Sequence, residues 1–179
     1  RHTLIADEDA SRWAIGIVED WLLLLSDEDA PLQNVVALGL PETAVVNQRR
    51  VVIPEGGSVI DSVCRTSDAL VVNRLVDASP HLSLHRLDGT PVADLPIDGG
   101  EVVALRADAD SPEAFIGMST LASPMQSWRV DTTTGDCRAL PGPGGPELPD
   151  LDISRDRATS ADGAQVPYWI IRRSDAVRG

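Results

Sequence analysis

WLLLLSDEDAPLQNVVALGL, residues 21–40, combines an apolar run, a turn that contains Pro31 and a second apolar run. Related combinations occur twice more along the chain. The apolar runs begin at Trp21, Ala69 and Ala114, so successive runs start 48 and 45 residues apart. Sequence repeats with this spacing indicate an array of similar structural units. The pattern of residues 21–40 therefore indicates that the rest of the chain consists of similar units.

Each repeat contains four short strand-like segments separated by turn-forming residues. They begin at residues 12, 21, 34 and 49, then at 59, 69, 81 and 91, and finally at 101, 114, 126 and 136. Turns are predicted at Pro31, Pro80 and Pro124, and a type I′ turn is predicted at Asp88-Gly89. Four short strands per repeated unit are typical of β-propeller blades. The predicted fold class is therefore all-β, with about three four-stranded blades.

The composition argues against several classes of partner. The formal net charge is −13, and all 15 basic residues are arginine. Nucleic-acid binding is not expected, because neutralising phosphates needs a positive surface. No membrane partner is expected either, since the apolar run at Trp21 is far too short to span a bilayer. The absence of lysine suggests a GC-rich coding bias and hence a bacterial source. A chain that opens at Arg1 without methionine is expected to be part of a longer protein.

The composition changes sharply after the third repeat. Residues 141–150, PGPGGPELPD, are rich in proline and glycine and predict a linker or hinge. Two extended runs follow around an Asp162-Gly163 turn, which predicts a β-hairpin that does not match the repeat. The predicted organisation is a partial propeller at residues 1–140, a linker at 141–150 and the start of another domain at 151–179.

No catalytic, cofactor-binding or metal-binding residue is predicted. The segment Gly117-Met-Ser119-Thr-Leu121 lacks the second glycine of a nucleophile elbow, and its setting is a strand, so Ser119 is expected to be an ordinary polar strand residue. His81 and His85 have a spacing that would bring them together on a helix. In a strand, however, four residues span about 13 Å, which is too far for one metal ion.

Other reactive or polar residues also have structural explanations. Cys64 and Cys137 are expected to be buried free thiols rather than a disulfide. The acidic clusters at 27–29 and 108–110 flank prolines and predict solvated turns rather than calcium sites. The four tryptophans are expected to pack in the core or between blades, although a ring at a strand end could face the tunnel or a domain interface.

The segment Ser160-Ala-Asp162-Gly163-Ala-Gln-Val166-Pro167-Tyr168 resembles the signature that opens the peptidase domain of prolyl oligopeptidases. Residues 21–31, 70–89 and 117–135 resemble further segments of that family, in the same order. Three positions depart from the family pattern. They are Leu121 in place of phenylalanine, Trp128 in place of tyrosine, and Ala164 in place of threonine or lysine.

The resemblance implies a seven-bladed propeller that caps an α/β-hydrolase domain. This chain would hold about the last three blades and the first hairpin of the hydrolase. The family's catalytic serine, aspartate and histidine are then expected C-terminal to Gly179, and no cofactor is implied. The implied partners are short peptide substrates and, within the same protein, the hydrolase domain. A cytoplasmic location is also implied by the family.

The function implied by the resemblance is gating, that is, restricting which peptides enter the active site. The chain would be the non-catalytic propeller portion of a serine oligopeptidase that hydrolyses short peptides after proline. Two alternatives stay open at this point. One is specificity for basic residues, as in oligopeptidase B, and the other is a binding propeller without enzymatic activity.

Overall fold

The computed structural model describes residues 9–97, 100–120, 123–142 and 150–176, which form fourteen β-strands and no helix. Twelve of these strands form three antiparallel four-stranded sheets, and the last two form a hairpin. Blade 1 contains β1 (Arg12–Val18), β2 (Trp21–Ser26), β3 (Asn34–Gly39) and β4 (Arg49–Ile53). Blade 2 contains β5 (Val59–Arg65), β6 (Ala69–Val76), β7 (Ser79–Arg86) and β8 (Pro91–Asp94).

Blade 3 contains β9 (Glu101–Ala107), β10 (Glu113–Thr120), β11 (Ser123–Asp131) and β12 (Cys137–Ala139). The hairpin contains β13 (Leu151–Thr159) and β14 (Gln165–Arg173). Within each blade the strands lie side by side in chain order. The predicted all-β architecture of four-stranded blades is confirmed. Among the described residues, none forms a helix long and apolar enough to cross a bilayer.

The predicted turn at Pro80 is wrong. β6 and β7 are joined by Asp77 and Ala78, whose φ angles of 52° and 59° are those of a two-residue type I′ turn. Pro80 pairs with Leu75 inside β7. It precedes the part of β7 that pairs with β8, and a proline is tolerated at the start of a strand because no ladder hydrogen bond needs its missing N–H there.

The other two turn predictions at prolines had different outcomes. Pro31 lies in a turn between β2 and β3, as predicted. Pro124 lies within β11, so the turn predicted at this residue is wrong as well. In both blades where the prediction failed, the strand begins before the proline instead of after it.

The turn at Asp88-Gly89 is not type I′. Gly89 N donates to Arg86 O at 2.9 Å, and Arg86 N donates to Thr90 O at 2.8 Å. Of the two central residues that were predicted to need a positive φ, only Gly89 has one, at 91°. The loop is therefore a three-residue connection that ends in a left-handed glycine. The Thr90 N–H, which donates to the Asp88 carboxylate, lowers the pKa of that carboxyl group.

The core lies between the blades. One buried cluster joins blades 1 and 2, and another joins blades 2 and 3. β6 contributes to both, because Leu70 and Val72 belong to the first cluster and Val71 belongs to the second. Alternate residues of a strand point to opposite faces. The continuous apolar run that starts at Ala69 is thus explained by a strand that is buried on both faces.

Neighbouring blades also meet through their first strands, since β5 contacts both β1 and β9. This places the first strand of each blade nearest the shared axis of the array. A polar contact adds to the junction of blades 2 and 3, where the buried Thr66 and Thr132 hydroxyls lie 3.1 Å apart. Thr132 Oγ1 also lies 2.8 Å from the Asp68 carboxylate, so the two blades share a hydrogen-bond network as well as an apolar core.

Candidate functional site

A groove of about 590 Å³ lies between blade 2, blade 3 and the hairpin. Its position depends on the blade arrangement, because β5 and β9 bring the starts of two first strands together. The lining residues come from four separate parts of the chain: Asp61, Asn73, Leu75, Ala78, Pro80, Gly100, Glu101, Val102, Ser119, Thr120, Ile153 and Trp169.

One wall of the groove is acidic and polar. Asp61 in β5 and Glu101 in β9 are both exposed. Asn73, which is only 1% exposed, donates from Nδ2 to Asp61 Oδ2 at 3.1 Å and to Ser62 Oγ at 3.4 Å. Its Oδ1 has no hydrogen-bond partner among the described residues. This wall therefore offers hydrogen-bond acceptors whose positions are partly set by Asn73.

The hairpin closes the groove with one of its faces. Ile153 and Trp169 line the cavity, and Arg155 pairs with Trp169 across the two strands. Residues 153, 155 and 157 share a face of β13, because alternate side chains point the same way. The Arg155 guanidinium lies 5.6 Å from the centroid of the Trp169 ring.

Two arginines of this face bind the tip of the β6–β7 turn. Arg157 forms an ion pair with the Asp77 carboxylate, and Arg155 lies 3.5 Å from the same carboxylate. Arg155 also donates to the Asp77 carbonyl oxygen and, at 3.2 Å, to Ser79 Oγ. We call these contacts of Asp77, Ser79, Arg155 and Arg157 the arginine latch. They attach the hairpin to blade 2.

Changing Asp77 to asparagine is expected to loosen the hairpin. The substitution removes the charge and keeps a residue that tolerates the positive φ at this position. Because exposed ion pairs each contribute at most about 1 kcal/mol, we expect amide hydrogen exchange in β13 and β14 to accelerate by about three- to tenfold. Mass spectrometry of the full-length protein measures this exchange.

The control for this substitution is Asp94→Asn. Asp94 is exposed on β8 of the same blade, where its carboxylate contacts His81 Nε2 at 3.1 Å. It lies on a different strand from the β6–β7 turn that binds the hairpin. Exchange in the hairpin should not change in this variant. Equal acceleration in the two variants, or none in Asp77→Asn, would show that the latch does not hold the hairpin.

The residues that the sequence analysis considered for catalysis or metal binding, Ser119, His81 and His85, make separate local contacts. Ser119 lies in β10 opposite Glu101, where the pairing of β10 with both neighbouring strands is irregular. His81 Nε2 contacts Asp94 Oδ1 at 3.1 Å. His85 contacts Gly89 O at 3.0 Å through Nδ1 and Ser83 Oγ at 3.1 Å through Nε2.

Within the described ranges no group of three or more His, Cys, Asp or Glu residues has the geometry of a metal site. The acidic cluster at 27–29 makes local contacts, in which Ser11 N donates to Asp27 Oδ1 at 2.7 Å and Glu28 forms ion pairs with Arg12 and Arg49. The expectation that the chain carries no catalytic, cofactor or metal residue stays a prediction.

Both cysteines are free and half-buried. Burial raises the pKa of the Cys64 thiol to about 12. Burial also raises the pKa of Cys137, and the charge of Asp136 adds to this effect. Neither thiol is activated as a nucleophile, because the thiolate is the reactive form.

The tryptophans divide between packing and exposure. Trp21 and Trp128 are half-buried against the two apolar clusters, and the Arg50 guanidinium lies 4.4 Å from the centroid of the Trp21 ring. Trp13 is 52% exposed and Trp169 is 41% exposed. Packing was thus the right expectation for Trp21 and Trp128, whereas Trp13 and Trp169 are exposed among the described residues, and Trp169 lines the groove.

Comparison with models of known protein families identifies the domain to which the three blades belong. Residues 2–141 match the N-terminal β-propeller domain of prolyl oligopeptidase. The chain belongs to the prolyl oligopeptidase family. This confirms the family resemblance, and the matched range contains the segments at 21–31, 70–89 and 117–135. The segment at 160–168 lies beyond that range.

Solved prolyl oligopeptidases have the same fold in this region. Prolyl oligopeptidase B from Galerina marginata, bound to a 35mer hydrolysis and macrocyclization substrate, is 18% identical and has a TM-score of 0.85. That match covers 98% of this chain and 25% of the other. The apo form of that protein has a TM-score of 0.82 at 18% identity, with coverage of 97% and 26%.

A structure from a study of two prolyl endopeptidases and their inter-domain dynamics is 24% identical, with a TM-score of 0.78. It covers 96% of this chain and 26% of the other. At these identities the similarity shows the fold. This chain spans about a quarter of the length of the prolyl oligopeptidases that it matches. The sequence has no significant match among curated proteins.

Sequence reasoning missed both the groove and the arginine latch. For the latch a signal existed, since arginines two positions apart in a predicted strand share a face. For the groove there was none, because its residues come from segments separated by up to about a hundred positions and only the blade packing brings them together.

Proposed function

We propose that this chain is the non-catalytic propeller portion of a serine oligopeptidase that hydrolyses short peptides after proline. The observation that carries the proposal is the family match over residues 2–141, together with three consecutive four-stranded blades in the same region. The reaction itself, acyl transfer through a serine ester, would be performed by a hydrolase domain whose catalytic residues follow Gly179.

The proposed domain boundaries are residues 1–140 for the propeller, 141–150 for a linker and 151–179 for the first hairpin of the hydrolase domain. Two observations support this division. The family match ends at residue 141, and among the described strands β13 and β14 pair only with each other, in a sheet separate from the blades. Residues 143–149 of the proposed linker lie outside the described residues.

The proposed role of the propeller is to restrict access to the active site. The first strands of the blades lie nearest the axis, and a ring of such blades leaves a narrow central channel. Short flexible peptides would reach the active site through this channel or between the domains, whereas folded proteins would be excluded. The arginine latch fits this role, because it attaches the first hairpin of the proposed hydrolase domain to the rim of blade 2 through contacts that can reopen.

Peptide cleavage by the full-length protein tests the proposal. We expect benzyloxycarbonyl-Gly-Pro-4-nitroanilide to be hydrolysed at least about a hundredfold faster than the matched arginyl reporter, which corresponds to about 2.7 kcal/mol in transition-state binding. A folded protein that contains accessible prolines should stay intact under the same conditions, while the same protein should be cleaved after it is unfolded and cut into short peptides.

The other outcomes point to the alternatives. Faster hydrolysis of the arginyl reporter would replace the proline specificity with one for basic residues. Hydrolysis of neither reporter would favour a binding propeller. Cleavage of the folded protein would contradict the gating role.

A further inference from the structure

We infer that the groove between blade 2, blade 3 and the hairpin binds the guanidinium group of an arginine side chain carried by a peptide. The inference rests on the groove's own charges, acceptors and shape. It does not depend on whether the protein cleaves peptides after proline.

The polar groups of the groove suit a cation with several N–H donors. Asp61 and Glu101 contribute carboxylates, and none of the described residues that line the groove is basic. The Arg155 guanidinium lies beside Trp169 at the edge of the groove, where it is bound to Asp77 and Ser79. Guanidinium is such a cation, since it carries five N–H donors in a planar arrangement and no acceptor. A ligand that lacks donors would form no hydrogen bond with these carboxylates, and a ligand that carries a negative charge would be repelled by them.

Asn73 provides an independent reason to expect a donor in this groove. The side chain is 1% exposed and its Oδ1 lacks a partner among the described residues, although Nδ2 is bound to Asp61 and Ser62. Because Nδ2 donates to a carboxylate, the oxygen must be the free atom. A buried acceptor without a partner costs about 1–3 kcal/mol. Asn73 lines the groove, so a ligand N–H that displaces part of the wall and reaches this shielded oxygen would remove that cost.

The apolar part of the groove suits the stem of an arginine. Leu75, Pro80, Val102 and Ile153 line it beside Trp169, so the methylene groups can be buried while the charged end reaches the acidic wall. The volume of about 590 Å³ lies within the usual range for ligand pockets. The net charge of −13 also favours the approach of a cation.

Binding of a blocked peptide tests the inference. The probe is acetyl-Ala-Ala-Arg-Ala-Ala-amide, and the matched control peptide carries citrulline, which has nearly the same shape without the charge. We expect the full-length protein to bind the arginine peptide about tenfold more tightly than the citrulline peptide, measured by isothermal titration calorimetry. Butylguanidinium, which carries the same guanidinium without a peptide or a second charge, shows whether the peptide part contributes.

Single substitutions locate the binding. Glu101→Gln and Asp61→Asn are each expected to weaken binding of the arginine peptide by about three- to tenfold, since each removes one partly exposed charge partner. Glu19→Gln is the matched control, because Glu19 is exposed in the β1–β2 turn, away from the groove. It changes the net charge equally and should leave binding unchanged.

Each result either supports or overturns the inference. Equal binding of the two peptides, or unchanged binding in both groove variants, would overturn it. Equal weakening in Glu19→Gln would also overturn it, because that would show a general charge effect. Binding of butylguanidinium as tight as that of the peptide would support recognition of the guanidinium but contradict the peptide source. Reporter cleavage measured in parallel separates failure of this inference from failure of the proposed function.

Discussion

Replacing Gly89 with alanine is expected to lower the free energy of unfolding of the propeller by about 2–5 kcal/mol. Gly89 has a φ of 91°, in the region that L-residues avoid. A Cβ atom at this position would lie 1.9 Å from the carbonyl oxygen of Val52 in blade 1. Because that oxygen belongs to the backbone, it cannot rotate away, so the blades themselves would have to separate. Urea denaturation of the full-length protein, followed by tryptophan fluorescence, measures the change.

Gly135→Ala is the control that separates backbone strain from crowding. Gly135 has a φ of 78°, but the nearest atom to its added Cβ is a side-chain carbon of Leu84 at 3.9 Å. Only the conformational cost of about 1–2 kcal/mol is therefore expected. Equal effects of the two substitutions would show that the contact between Gly89 and blade 1 does not limit the packing of the blades.

Replacing Leu70 with alanine is expected to destabilise the protein by about 2–5 kcal/mol, because it removes buried methyl groups and leaves a cavity. Leu70 is fully buried in β6 and belongs to the cluster that joins blades 1 and 2. The loss therefore affects the junction between two blades as well as the interior of one. The same denaturation experiment reports it as a lower midpoint with little change in slope.

Leu75→Ala is the matched control for Leu70→Ala. Leu75 lies in the same strand and is 40% exposed, so the substitution removes the same atoms from a site that water already reaches. We expect a loss below about 1 kcal/mol. A loss as large as that of Leu70→Ala would show that burial between the blades is not what stabilises this strand.

The strands could be predicted because their signal is local. β1 to β6, β8 and β9 begin at the residues where the sequence pattern places them, since apolar alternation and turn residues act over a few positions. The turn predictions at Pro80 and Pro124 failed for a different reason. Whether a proline ends a strand depends on whether a neighbouring strand needs its N–H, and the sequence around Pro80 does not contain that information.

The predicted type I′ turn is another feature that depends on neighbouring strands and not on the local sequence alone. Asp88-Gly89 has the preferred sequence but adopts a three-residue loop, whereas Asp77-Ala78, which lacks glycine, adopts positive φ at both positions. The hydrogen bonds between β6 and β7 hold these two residues in place. Strand pairing on both sides of the turn therefore outweighed the local preference.

The repeated all-β array and its membership of the prolyl oligopeptidase family could both be recognised in the sequence, because strand periodicity and family segments are properties of neighbouring residues. The packing of the blades was needed to show which faces of β6 are buried, how Asp77 meets Arg155 and Arg157, and that Asp61, Asn73 and Glu101 share a groove with Trp169. These contacts join residues far apart in the chain. They depend on how twisted sheets pack against one another, which no local pattern encodes.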